Sequence, residues 1–205
     1  MYQPDHFKDR DVAQIRSLVS RFPLGTCIAH TGTEFEINHL PVMWRDDTLI
    51  GHIALANNMH RILENGGKAA FVFQGEDTYI TPNWYPTKSQ HHEHVPTWNY
   101  QVVHMHGDLY FDHSDKAKRA AVGQLTKLHE TRLNGDRAWA MRDAPDDFIA
   151  AKIANIVAIR FHINSIEAKS KLSQNRDAID FQGVQQHMED AGCSGLGNRM
   201  QTWSD

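Results

Sequence analysis

Cysteine is scarce in this chain: two residues in 205, Cys27 and Cys193, far apart and without a CxxC partner. That excludes a disulfide framework and a cysteine-based zinc site. Cys27 lies in the apolar run "GTCIAH" and reads as a small core residue, while Cys193 falls in a Gly-rich tail. Long hydrophobic runs are missing too. No segment reads as a membrane span, and the polar start "MYQPDHFKDRD" has no signal-peptide h-region, so the cytoplasm is the expected location. A basic surplus is also absent, with 21 Lys and Arg against 25 Asp and Glu and a formal net charge of −4. Phosphate neutralisation supplies most of the affinity of DNA-binding domains, so direct nucleic-acid contact is disfavoured. GxGxxG, Walker A, HExxH and GxSxG sequences do not occur, which removes the familiar nucleotide-fold and hydrolase readings. Nothing repeats and nothing is of low complexity. Residues 1–205 therefore read as a single domain, long enough to bury a substantial core.

What is present is a strand-rich pattern. Residues 9–22 place Val12, Ile15, Leu18 and Val19 at helical spacing behind aspartates suited to a helix N-terminus. After Pro23, "LGTCIAH", "EFEINHLPVMW" and "TLIGHIAL" read as three strands of an antiparallel meander. "NNMHRILENG" reads as a short helix ending at Gly66–Gly67, "KAAFVFQG" as a buried strand and "TYITP" as the next. "HVPTWNYQVVHMHGDLYF" is too long for one ordinary strand unless it bends or enters a curved barrel. Ser114 opens a helix to about Leu133 with Ala117, Ala121, Leu125 and Leu128 facing inward. "DDFIAAKIAN" adds a second helix, so 114–155 forms a helical insertion. The strand "IVAIRFHINSIEA" follows, then a short final helix over "GVQQHMEDAG" within a C-terminal segment, 183–205. The fold class is mainly β with peripheral helices (α+β), a small closed or half-closed antiparallel barrel.

Three clusters and a histidine run carry polar chemistry. "TYITPNWYPTK" presents Asn83, Trp84, Tyr85, Thr87 and Lys88 between restrictive prolines, a mix of rings, hydroxyl and ammonium that suits an aromatic ligand with a phosphate. A rigid surface loop with an aromatic plug is the plainer reading. In "VPTWNYQVVHMHG", Thr97 and Asn99 share one strand face and Trp98 and Tyr100 the other. His104 and His106 also share a face; such a pair ligates zinc only when a further protein ligand converges on it. "KSKLSQN", 169–175, alternates Lys169 and Lys171 with Ser170 and Leu172 and could line an anionic pocket or form a solvated strand end. Histidine is abundant, 14 in all, with His91, His92 and His94 crowded around Glu93. On an extended chain His92 and His94 share a face and could chelate an exposed ion, but a solvated turn explains them more simply.

Taken in order, these segments resemble the PaiB family of FMN-binding negative transcriptional regulators. The likeness rests on "MYxPxxF" at the start, "HLP" at 39–41 and "GHIA" at 51–54. It is strongest in "FQGEDTYITPNWYPTK", "VPTWNY" with "HMHG", and "KLSQNR", and runs to about Met188. It implies a split β-barrel of the FMN-binding, pyridoxamine-phosphate-oxidase-like type, a homodimer with flavin at the subunit interface. By the same likeness, His52, Ala54 and Asn57, with Thr81, Tyr85, Thr87 and Lys88, meet the phosphate and ribityl chain. Thr87 and Lys88 are the phosphate candidates. Thr97 and Asn99 of "PTWN", from the second subunit or the same one, and Lys171 and Gln174 of "KLSQN" approach the ring. No metal ligand is implied. Family members read "GHIARANP" where this chain reads "GHIALANN", so Leu55 replaces an arginine and Asn58 a proline. If that arginine holds phosphate, its loss predicts a weaker hold by about 1.5–3 kcal/mol. The functions implied are a negative regulator acting directly or through flavin chemistry, or a flavin-dependent oxidoreductase. A heme- or metal-binding protein is the third possibility, prompted by the histidines and by heme-handling split barrels. No general acid or base stands out, and the catalytic residues are unassigned.

Overall fold

The computed structural model describes residues 1–188 and 190–203. Glu189, inside the expected final helix, and residues 204–205 of the expected tail lie outside the described residues. Among the described residues six strands form: β1 Leu24–His30, β2 Phe35–Arg45, β3 Thr48–Ala54, β4 Gly67–Ile80, β5 Thr97–Asp112 and β6 Ile156–Lys171. The helices are α1 Val12–Arg21, α2 Met59–Ile62, α3 Lys88–His91, α4 Asp115–Asn134, α5 Asp146–Ala154, α6 Ala178–Gln186 and α7 Ser194–Gln201. No helix among the described residues is long and apolar enough to cross a membrane. The chain forms two compact units, a barrel unit (22–73 and 105–166) and a terminal unit (1–21, 74–104 and 167–205).

In the barrel unit the strand order β1-β2-β3-β6-β5-β4 closes on itself, with β1 paired antiparallel to both β2 and β4. Period-two alternation sends Cys27, Leu49, Ile53, Phe71, Phe73 and Phe161 inward, and each of these side chains is buried. Closure explains why β4 is longer than the sequence suggests and why β5 runs unbroken, the curved-barrel condition set for it. "KAAFVFQG" and "TYITP" run as one strand of 14 residues, and the "TWNYQVVHMHGDLYFD" stretch as one of 16. The helix expected to reach Gly66–Gly67 is a single turn, α2, opened by Met59 N–H donating to Asn57 Oδ1 at 2.9 Å. Ser114 caps α4 as the sequence predicts, accepting from Ala117 N–H at 3.3 Å. Leu128 departs from its expected inward position. It lines an open groove with Met43 and Lys127.

Burial, and to a lesser degree Glu36, pushes the Cys27 thiol up from 9.0 to about 12. Between those values the unfolded chain loses a proton that the native chain keeps, so stability falls as pH rises. The slope approaches about 1.4 kcal/mol per pH unit. Urea unfolding of wild type across that alkaline window is expected to show this slope, and Cys27→Ala to show a flatter one. Equal slopes would mean that the thiol is not shielded.

The terminal unit is held by an apolar cluster of Ile80, Tyr85, Leu172, Val184, Met188, Leu196 and Met200, with Trp84, Phe181 and Trp203 at its margin. Asp11 caps α1 by accepting from the N–H groups of Ala13 and Gln14 at 3.0 and 3.2 Å. Ile15, Leu18 and Val19 face the core, but Val12, the first helical residue, is 62% exposed. The C-terminal segment holds two helices where one was expected: α6 begins at Ala178, ahead of "GVQQ", and α7 follows it. The N-terminal segment runs beside β6 through a Lys8↔Lys169 bridge. There Asp9 accepts from both Ser170 Oγ at 2.7 Å and Arg199 Nη2 at 3.1 Å.

Candidate functional site

In the terminal unit the "TPNWYPTK" loop turns through Pro82–Trp84, with the Thr81 side chain accepting from Asn83 N–H at 3.3 Å. Tyr85 then drops into the core. Its hydroxyl proton has no acceptor among the described residues, and the Arg176 guanidinium lies over its ring at 4.8 Å. Burial raises the Tyr85 phenol above its ordinary range; the Arg176 charge and a hydrogen bond from its side chain oppose this, and Asp180 adds to it. Thr87 is fully engaged. Its N–H donates to Asp180 Oδ1 at 3.1 Å, its hydroxyl donates to Asp180 Oδ2 at 2.7 Å, and His94 Nε2 lies 2.8 Å from the same hydroxyl. Lys88 Nζ donates to Asn83 Oδ1 at 2.5 Å.

β5 and β6 bring the next residues together. Lys171 Nζ donates to Thr97 Oγ1 at 2.6 Å and to the Trp98 carbonyl at 2.5 Å. Burial lowers the pKa of Lys171, and the nearby charges of Lys169 and Arg176 lower it further, so three cations share this region. Asn99 is buried; its Oδ1 accepts from Ser173 Oγ at 3.1 Å, while its Nδ2 has no partner among the described residues. Ser173 sits at φ 64°, a left-handed conformation that aims its hydroxyl into this turn. Gln174 closes the turn on itself, accepting from Leu172 N–H and donating to the Ser170 carbonyl, both at 2.6 Å.

The barrel unit carries the other expected segment. His52 is half-buried, its Nδ1 unpartnered among the described residues, and burial lowers its pKa. Ala54 is exposed, and Asn57 Nδ2 donates to Asn38 Oδ1 at 2.6 Å. The Leu55 carbonyl accepts from His60 Nε2 at 3.1 Å and from Arg61 Nη2 at 3.5 Å.

The histidine run is not an extended strand. His91 ends α3, His92 takes a left-handed conformation at φ 56°, and His94 turns inward with its side chain 6% exposed. Thus His92 and His94 do not share a strand face. In the same unit His104 and Glu167 bring possible ligand atoms within 4.8 Å, but Glu167 Oε2 also holds the N-terminal ammonium at 2.7 Å. Sequence reasoning missed Asp180, Arg176 and the inward role of His94. An aspartate between Ile179 and Phe181 on a helix was the available signal for Asp180.

Unpaired buried donors at Asn99 and Tyr85, beside three cations, fit an anionic heteroaromatic group. Residues 1–165 match a family model described as "Putative FMN-binding domain". The chain belongs to this family. Within it, the PaiB type is indicated by "Protease synthase and sporulation protein PAI 2" of Bacillus subtilis. That protein is 29% identical over 193 residues, covering 92% of this chain and 89% of that one. Among solved structures, a protein described as FAD- and heme-binding from Mycobacterium smegmatis superposes with TM-score 0.60 at 16% identity, over 86% of this chain and 79% of that one. The flavocytochrome Anf3 from Azotobacter vinelandii gives 0.58 at 11%, over 86% and 75%. At such identities these two share the split-barrel fold. In this PaiB-family chain, Lys171, Arg176 and Asp180 lie beyond the stretch that the family model matches.

Proposed function

We propose that this PaiB-family chain is an FMN-binding homodimer whose chemistry is redox. The observation that carries the reading is the terminal-unit cluster: Lys171 fixed by Thr97 and Trp98, with Lys169 and Arg176 near it and the Asn99 amide unpaired. Bound FMN supplies hydride or electron transfer. The protein's part is to bind, orient and shield. Lys171 offers a positive charge already half out of water, and Asn99 offers an N–H at no cost in broken bonds. Lys88 is the better phosphate ligand of the "PTK" pair, because the Thr87 hydroxyl proton is spent on the Asp180 carboxylate. In the barrel unit His52, Ala54 and Asn57 form the segment assigned by resemblance, and Arg61 offers a guanidinium at the Leu55 carbonyl.

A second copy is the natural cover for the outer face of β1 and β2. There Ile28 pairs with Ile37 and His30 with Phe35, leaving Phe35 and Ile37 exposed side by side on β2, with exposed Leu24 further along beyond the Thr26–His39 pair. A regulatory role, the one for which the PaiB family is named, would act through the flavin, since a net charge of −4 gives no general electrostatic pull toward DNA. Titrating purified protein with FMN tests the reading. Wild type is expected to take up FMN saturably, and Lys171→Ala to bind about 10- to 100-fold more weakly, the worth of a charge-assisted hydrogen bond. Equal affinity would remove Lys171 from the pocket.

A further inference from the structure

His94 Nε2 has one hydrogen-bonding role that satisfies its neighbours. The Thr87 hydroxyl owns a single proton, and it gives that proton to Asp180 Oδ2 at 2.7 Å. His94 Nε2, 2.8 Å from the same oxygen, must therefore carry a hydrogen and donate it to Thr87. A neutral ring in that tautomer leaves Nδ1 as a bare acceptor. Nδ1 is buried and has no partner among the described residues. The Tyr85 hydroxyl is buried as well, with the Arg176 side chain beside its oxygen and no acceptor for its proton among the described residues, and the two rings lie 4.8 Å apart, tilted by 38°. One unpaired acceptor and one hydroxyl proton without an acceptor, on neighbouring rings, form a complementary demand. The other groups around them are the Asp180 carboxylate, the Arg176 guanidinium over Tyr85, and the exposed His91 ring at 4.8 Å from His94. Neither atom meets solvent, so a ligand must displace a neighbouring side chain to reach them.

We propose that His94 and Tyr85 read an imide or lactam edge, with His94 Nδ1 accepting a ring N–H and the Tyr85 hydroxyl donating to the adjacent carbonyl. Asp180 acts as a positioning residue through Thr87. An isoalloxazine ring carries such an edge on its pyrimidine side, so the occupant rests on the FMN reading above, while the tautomer does not.

The test uses the intact protein labelled with 15N-histidine. Long-range proton–nitrogen spectra are expected to show one histidine, identified by its loss in His94→Gln, with the proton on Nε2 and a bare Nδ1. Thr87→Val should mix the two tautomers without unfolding the chain. Adding FMN should move the Nδ1 resonance, and His94→Gln should raise the Kd for FMN about tenfold. A proton on Nδ1 in the free protein overturns the proposal. So does FMN that binds while Nδ1 stays still and His94→Gln binds equally well, a result that leaves the flavin reading intact. If wild type takes up no FMN, the flavin reading fails by itself. Uracil, which has the imide edge and no flavin, then decides: movement of Nδ1 supports the proposal, and no movement at its solubility limit overturns it.

Discussion

Gly107→Ala is expected to cost about 3 kcal/mol or more, at or beyond the upper end for overpacking a core. Gly107 lies in β5, and a methyl group there would run into the backbone carbonyl oxygen of His162 in β6. The carbonyl carbon of His162 and the Phe161 ring follow, both at 2.9 Å. The obstacle is backbone, not the tip of a flexible side chain, so relief requires moving a strand of a closed barrel. Domains are commonly stable by only about 5–15 kcal/mol, which makes this loss visible as a large drop in urea midpoint at unchanged slope. A drop worth less than about 1 kcal/mol would show that β5 and β6 approach less closely than described.

Arg199→Ala is the second large effect, at about 3–5 kcal/mol. Nη2 of Arg199 contacts both carboxylate oxygens of Asp9 at 3.1 Å, with side chains 5% and 4% exposed. The same carboxylate accepts from Ser170 Oγ, which in turn accepts from Gln101 Nε2 at 3.1 Å. Removing the guanidinium strands a buried carboxylate, and the cost is that of the unpaired charge more than of the lost bond. Adding Asp9→Asn to Arg199→Ala should therefore recover part of the loss, read as a positive coupling in a double-mutant cycle by urea unfolding. Additive effects would place the two groups outside one network.

The strands were legible because alternation alone distinguishes the faces of β1, β2 and β3. The continuity of β4 was not, and that of β5 was legible only on the condition of a curved barrel, since a chain learns how far to extend only from the partners that supply its hydrogen bonds. α7 was missed because "SGLGNRMQ" carries two glycines that oppose helix formation. Its burial overrides that preference, and the Glu76 carboxylate accepts from Leu196 N–H at 3.0 Å. The candidate site divides the same way. Thr87, Lys171 and Asn99 were visible as residue types in a telling order, whereas the role of Thr87 depends on Asp180, 93 positions away. His94 shows this most clearly. Spacing placed it on a solvated turn, and a distant carboxylate turned it inward.

Equilibrium dialysis of the purified protein against FMN tests the central claim most directly. One flavin retained per chain, released more readily by Lys171→Ala, is the expected result. No retention by wild type at high micromolar FMN would contradict it.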